Sequence, residues 1–98
     1  MAPALRVETT AHYDRLARGL ARQHSDFLAE PTRAVAILGD DPFNRTGKYP
    51  IRKLWAVKLG EGQHRLWLRR YRFRYDIFIN RGVIVLYACG LRREDTYR

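Results

Sequence analysis

Apolar positions in this chain recur first with the period of a strand, then with that of a helix, then with that of a strand again. Leu5, Val7 and Thr9 alternate with Arg6 and Glu8, which predicts a short first strand. Thr9 or Thr10 can cap a helix beginning near Ala11. Tyr13, Leu16, Ala17, Leu20 and Ala21 then form one apolar stripe, with Asp14, Arg15, Arg18 and Arg22 turned outward. Phe27, Leu28, Ala34, Val35, Ile37 and Leu38 supply the apolar side of a second helical stretch. Pro31 is awkward in a helix interior, so either Ser25 to Glu30 is a separate turn with Pro31 at a helix first position or the helix is kinked; two antiparallel helices, the second firm from about Pro31 to Leu38, are the favoured reading.

Asp41 to Pro50 is rich in turn residues and reads as a loop. Ile51 to Leu59 is open to a short strand or an extended segment, with an extra strand near residues 54–59, and Gly60 to Gly62 is a turn. From His64 to Asn80 the pattern is strongly β. Leu66 and Leu68 share one face, Arg65, Trp67 and Arg69 the other. The parity shifts at Arg69-Arg70, the expected place for a hairpin turn or bulge. Tyr71, Phe73, Tyr75, Ile77 and Ile79 then alternate with Arg70, Arg72, Arg74 and Asp76. After the turn residues Asn80-Arg81-Gly82, Val83 to Cys89 is an unbroken apolar run, as in an interior strand covered on both faces, and Gly90 ends it. The expected fold is α+β: a small antiparallel sheet with two N-terminal helices on one face, in the order β-α-α-β-β-β. Its open face would carry arginines and Trp67.

Composition bounds this picture. The 98 residues allow one domain, 1–98, with one core. An apolar content of 46% is too high for a disordered basic tail. No apolar run could span a bilayer, and the first residues lack the pattern of a signal peptide, so no membrane partner is expected. A single cysteine, Cys89, excludes an intramolecular disulfide framework, which makes a reducing, cytoplasmic setting the default.

Charge changes the picture more. The net charge is +9, and residues 45–75 hold all of it: ten basic side chains stand there against Glu61 alone. Such crowding attracts polyanions. Lys48, Lys58, Arg65, Arg70, Arg72 and Arg74 are candidate RNA-binding residues, and Trp67 among them could stack on an unpaired base or pack beneath arginine stems. His12, His24 and His64 show no ligand spacing, and neither a metal nor a nucleotide cofactor motif is present. No cofactor is therefore expected. RNA cleavage by the RNA's own 2′-hydroxyl fits these limits, because it needs only a base, an acid and cations around the phosphate.

Three segments carry a resemblance: Ile51-Arg-Lys-Leu54, Gly62 to Asp76 (GQHRLWLRRYRFRYD) and Gly90 to Arg98 (GLRREDTYR). In their order and spacing the chain resembles the RelE/ParE superfamily of toxins from type II toxin–antitoxin systems, over nearly its whole length. The resemblance implies a ribosome-dependent endoribonuclease that cuts mRNA and is neutralised by a cognate antitoxin. By that resemblance Arg69 would stabilise the scissile phosphate, Arg92 would assist the leaving group, and Tyr97 would orient or deprotonate the 2′-hydroxyl. Arg52 and Lys53 would contact the phosphate or move a proton. Two departures stand out: the Trp55–Gly62 connection is longer than the usual one, and the basic pair is Arg-Lys where Lys-Lys is common. A ParE-like inhibitor of DNA gyrase, or an RNA-binding module without catalysis, would carry a similar basic surface.

Overall fold

A computed structural model describes residues 5–93; Tyr97, and with it one expected catalytic group, lies outside the described residues. β1 (Arg6–Thr9) leads into α1 (Ala11–Gln23), whose N-cap Thr10 accepts from the amide of Tyr13 at 2.9 Å. A short 3₁₀ turn, Ser25–Phe27, separates α1 from α2 (Glu30–Asp40), with Pro31 in the first turn of α2, where its missing N–H costs nothing. β2 (Ile51–Lys53), β3 (His64–Leu68), β4 (Tyr71–Phe78) and β5 (Val83–Leu91) complete the order.

The five strands form one sheet in the order β1-β5-β4-β3-β2. The α+β class and the two helices are as expected, but the sheet is mixed: β1 runs parallel to β5, while the other pairs are antiparallel. Alternation along a strand reports which face is buried, not which way a partner nearly 80 positions away will run, so this pairing is invisible locally. The additional strand is Ile51–Lys53 and not residues 54–59. Extended backbone cannot run through this stretch because Ala56 within it has a positive φ of 66°, and Gly60 and Gly62 just beyond it do too (100° and 76°). Nor does Gly90 end the last strand, since Gly90 pairs with Arg72 and Leu91 with Tyr71.

The core lies between the helices and one sheet face. Tyr13, Phe27, Ala34 and Leu38 meet Leu66, Tyr71, Phe73, Tyr75, Ile77, Ile84, Leu86 and Cys89. Phe27 is the hinge of this packing: its ring stacks on Phe73 at 6.0 Å and meets Tyr71 edge-on at 5.0 Å. Burial pushes the Cys89 thiol up to about 12, so it behaves as a small apolar side chain. The opposite face follows from the register. Arg52, Arg65, Arg74 and Ala88 lie across from one another, as do Trp67, Arg72 and Gly90. Among the described residues, no helix is long and apolar enough to cross a membrane.

Candidate nucleic-acid interface

The β3–β4 hairpin closes through a two-residue turn, Arg69-Arg70, between the paired residues Leu68 and Tyr71. Arg69 takes a φ of 56°, a left-handed conformation that glycine or asparagine fills without strain and that costs other residues about 1–2 kcal/mol. A long cation occupies the position where folding alone would favour glycine. Strain of this kind gathers at functional sites.

Beside this turn lies a cavity of about 540 Å³, lined by Trp67, Arg69, Arg70, Leu91, Arg92 and Arg93. The end of β5 brings Arg92 there. Its amide donates to the Arg70 carbonyl at 2.9 Å, and its Nη1 donates to the Arg69 carbonyl at 2.9 Å. Two guanidinium groups rest on the Trp67 ring: the carbon of Arg65 lies 4.0 Å from its centroid and that of Arg92 3.9 Å. Trp67 therefore packs beneath arginine in this structure, and its Nε1 has no hydrogen-bond partner among the described residues. Arg52 lies opposite Arg65 on the same face, so the basic row extends to the sheet edge.

Two carboxylates that no pattern in the sequence singles out sit on the helix side of this turn. Asp26 accepts Arg70 Nε and Nη2, both at 3.1 Å, and the Tyr71 hydroxyl at 2.5 Å. Arg70 Nη2 also donates to His24 Nδ1 at 3.0 Å. Arg70 lines the cavity, but its fork is held by Asp26 and does not join the arginines of the open face. The Arg70 hydrogen bonds, then that of Tyr71, hold the Asp26 carboxyl down at about 2. A depressed carboxyl stabilises the fold above its unfolded pKa and loses that contribution as the pH falls through its folded one. Asp26→Asn should thus melt below the wild type at neutral pH, and the gap should close as pH falls from 3.8 towards 2. Thermal melts at stepped pH check this.

Glu30, at the start of α2, is only 1% exposed. Its Oε1 has no hydrogen-bond partner among the described residues, and its Oε2 lies 3.9 Å from Arg69 Nη1. A buried carboxylate needs a cation, and Arg69 supplies it while keeping its own side chain 59% exposed. The helix N-terminus adds a smaller favourable field. Arg69 is thus anchored from one side and open on the other.

The remaining expected residues are dispersed. Lys53 lies opposite His64, on the helix side of the sheet, and both line a second cleft of about 450 Å³ with Phe43, Asn44, Ile51, Leu59, Gln63 and Ile77. Burial, then the Lys53 charge, lowers the pKa of His64, which stacks on Tyr75 at 5.3 Å. Arg52 and Lys53 therefore point to opposite faces and do not act as a pair. Lys48 lies 3.7 Å from Asp40. Arg72 stands opposite Trp67 on the open face. Arg74 is spent on structure, donating to the carbonyls of Gly62 (3.1 Å) and Glu61 (2.7 Å). Lys58 is exposed on the β2–β3 loop. Among the described residues, no group of three or more His, Cys, Asp or Glu side chains is placed to hold a metal ion.

The path of the chain matches that of a solved structure. Residues covering 92% of this chain align with 97% of a chain in the archaeal RelE–RelB complex from Pyrococcus horikoshii OT3, with a TM-score of 0.61 and 22% identity. This chain has a RelE-like fold. No protein-family model matches the sequence, and no curated protein matches it. At 22% identity the likeness concerns the path of the chain, and what the chain does has to be argued from its own side chains.

Proposed function

We propose that this chain is the toxin of a toxin–antitoxin pair, a cytoplasmic endoribonuclease that cuts mRNA on the ribosome. The observation that carries this reading is the cluster at the hairpin turn. There, Arg69 and Arg92 converge beside Trp67 on a RelE-like sheet, at the edge of a basic face. In the proposed reaction the RNA's 2′-oxygen attacks the adjacent phosphorus and the 5′-oxygen leaves, giving a 2′,3′-cyclic phosphate. Arg69 faces the non-bridging oxygens, where charge builds up. Arg92 steadies the departing 5′-oxygen, and Tyr97 serves the 2′-hydroxyl. Arg52, Arg65 and Arg72 line the approach on the same sheet face, and bidentate guanidinium–phosphate contacts suit that task. Lys53, on the other side of β2, belongs to substrate contacts outside the reacting centre.

The solved neighbour is a complex of RelE with RelB. We extend that association to this chain as a cognate antitoxin covering the basic cluster. Induced synthesis of the chain in growing cells tests the reading. Protein synthesis should stop before DNA synthesis does. Arrest of DNA synthesis with translation intact would replace the nuclease with a gyrase inhibitor.

A further inference from the structure

The β2–β3 loop, residues 54–63, is held in place by an unusual number of devices. The buried carboxylate of Asp76 accepts three backbone amides: Gly60 at 3.0 Å, Gly62 at 2.8 Å and Gln63 at 3.0 Å. Arg74 adds its two carbonyl contacts, the amide of Leu54 donates to the Gln63 carbonyl at 2.8 Å, and Gln63 Nε2 donates to the Val57 carbonyl at 3.1 Å. A Cβ on Gly62 would come within 2.9 Å of the Arg74 Cβ and 3.1 Å of the Tyr87 ring, so only glycine fits. This scaffold presents Trp55, which is 85% exposed, far more than any other large apolar side chain described.

Leaving an indole in water forfeits the favourable free energy of burying its apolar surface. Ala56 follows it at a φ of 66°, so the backbone is also strained where the ring is displayed. The neighbouring sequence is mostly cationic: Arg52 and Lys53 precede Trp55, Lys58 follows it, and Glu61 is the one acidic side chain from residue 42 to residue 75. An aromatic face interleaved with cations is what a single-stranded nucleic acid recognises: bases stack on the ring while phosphates meet the charges. β3 has five residues, so the loop lies about 17 Å of strand length from the Arg69 turn. From that turn the arginines of the open face lead back toward the loop.

We propose that Trp55, with Arg52 three positions before it and Lys58 three positions after it in the chain, is a stacking site for an unpaired base of the RNA substrate, separate from the reacting centre. The site rests on the RNA-directed reading above but requires no cleavage. The test is the affinity of the full chain for a labelled single-stranded oligoribonucleotide and for the same sequence as a duplex, with Trp55→Ala and Trp55→Phe. Trp55→Ala should weaken single-strand binding about 5- to 100-fold and leave duplex binding nearly unchanged, while Trp55→Phe keeps most of the affinity. Single-strand affinity equal to that of the wild type in Trp55→Ala overturns the proposal. So does a loss confined to binding of an antitoxin protein, or a wild-type chain that does not bind the single strand. A chain that binds through Trp55 but leaves mRNA intact overturns the nuclease reading and leaves this site standing.

Discussion

Replacing Arg69 with alanine or with glycine is expected to lower mRNA cleavage about 100- to 1000-fold, the usual loss when one donor to a developing oxyanion is removed. The two variants should differ in stability. Arg69 sits at a φ of 56°, so alanine retains the left-handed strain and glycine releases it, a difference of about 1 kcal/mol in favour of glycine. Both variants strip the buried Glu30 carboxylate of the cation 3.9 Å away, which costs stability in each and cancels in the comparison. Equal loss of cleavage with unequal melting temperatures would separate the chemistry from the fold. Cleavage that tracks stability instead would mean that Arg69 only shapes the turn.

The largest stability effect is expected at a residue with no place in the chemistry. Asp76 is 1% exposed and holds three backbone amides of the β2–β3 loop. Asp76→Ala leaves those donors without their acceptor and frees Arg74, whose carbonyl partners move with the loop. A loss of about 3 kcal/mol follows from the usual cost of breaking a buried charged hydrogen-bond set. Asp76→Asn should lose less, because its oxygen can still serve Gly60 and Gln63 while its amide group opposes the N–H of Gly62. Denaturant unfolding of both variants beside the wild type measures the order.

Much of the fold was legible because it depends on local period. The stripe from Tyr13 to Ala21 and the alternation from Tyr71 to Ile77 each point one way, and Tyr13, Tyr71, Phe73, Tyr75 and Ile77 are buried as that pattern requires. What was not legible depends on partners remote in sequence. Arg70 reads as one more arginine of the open face, but Asp26, 44 residues earlier, turns it to the helix side. Residues 54–59 read as extended until Asp76 gathers the amides that follow them. One signal was present: Asp76 is the only acidic side chain in the β4 alternation, where arginine is otherwise the rule. Glu30 gave none, since an acidic residue at a helix start is ordinary. The meeting of Arg92 with Trp67 needed the β3-β4-β5 register, which places Gly90 across from Arg72 and Arg72 across from Trp67.

In the proposed reaction the Arg69–Arg92 cluster cuts mRNA by the RNA's own 2′-hydroxyl while the ribosome holds it. Purified chain added to a cell-free translation reaction, with the ends of the message mapped, tests it most directly. The expected result is breaks within ribosome-bound codons, 2′,3′-cyclic phosphate ends, persistence of cutting after divalent ions are limited to what the ribosome needs, and near-complete loss with Arg69→Gly. An intact message in the presence of folded wild-type chain, or cutting that survives Arg69→Gly undiminished, would contradict it.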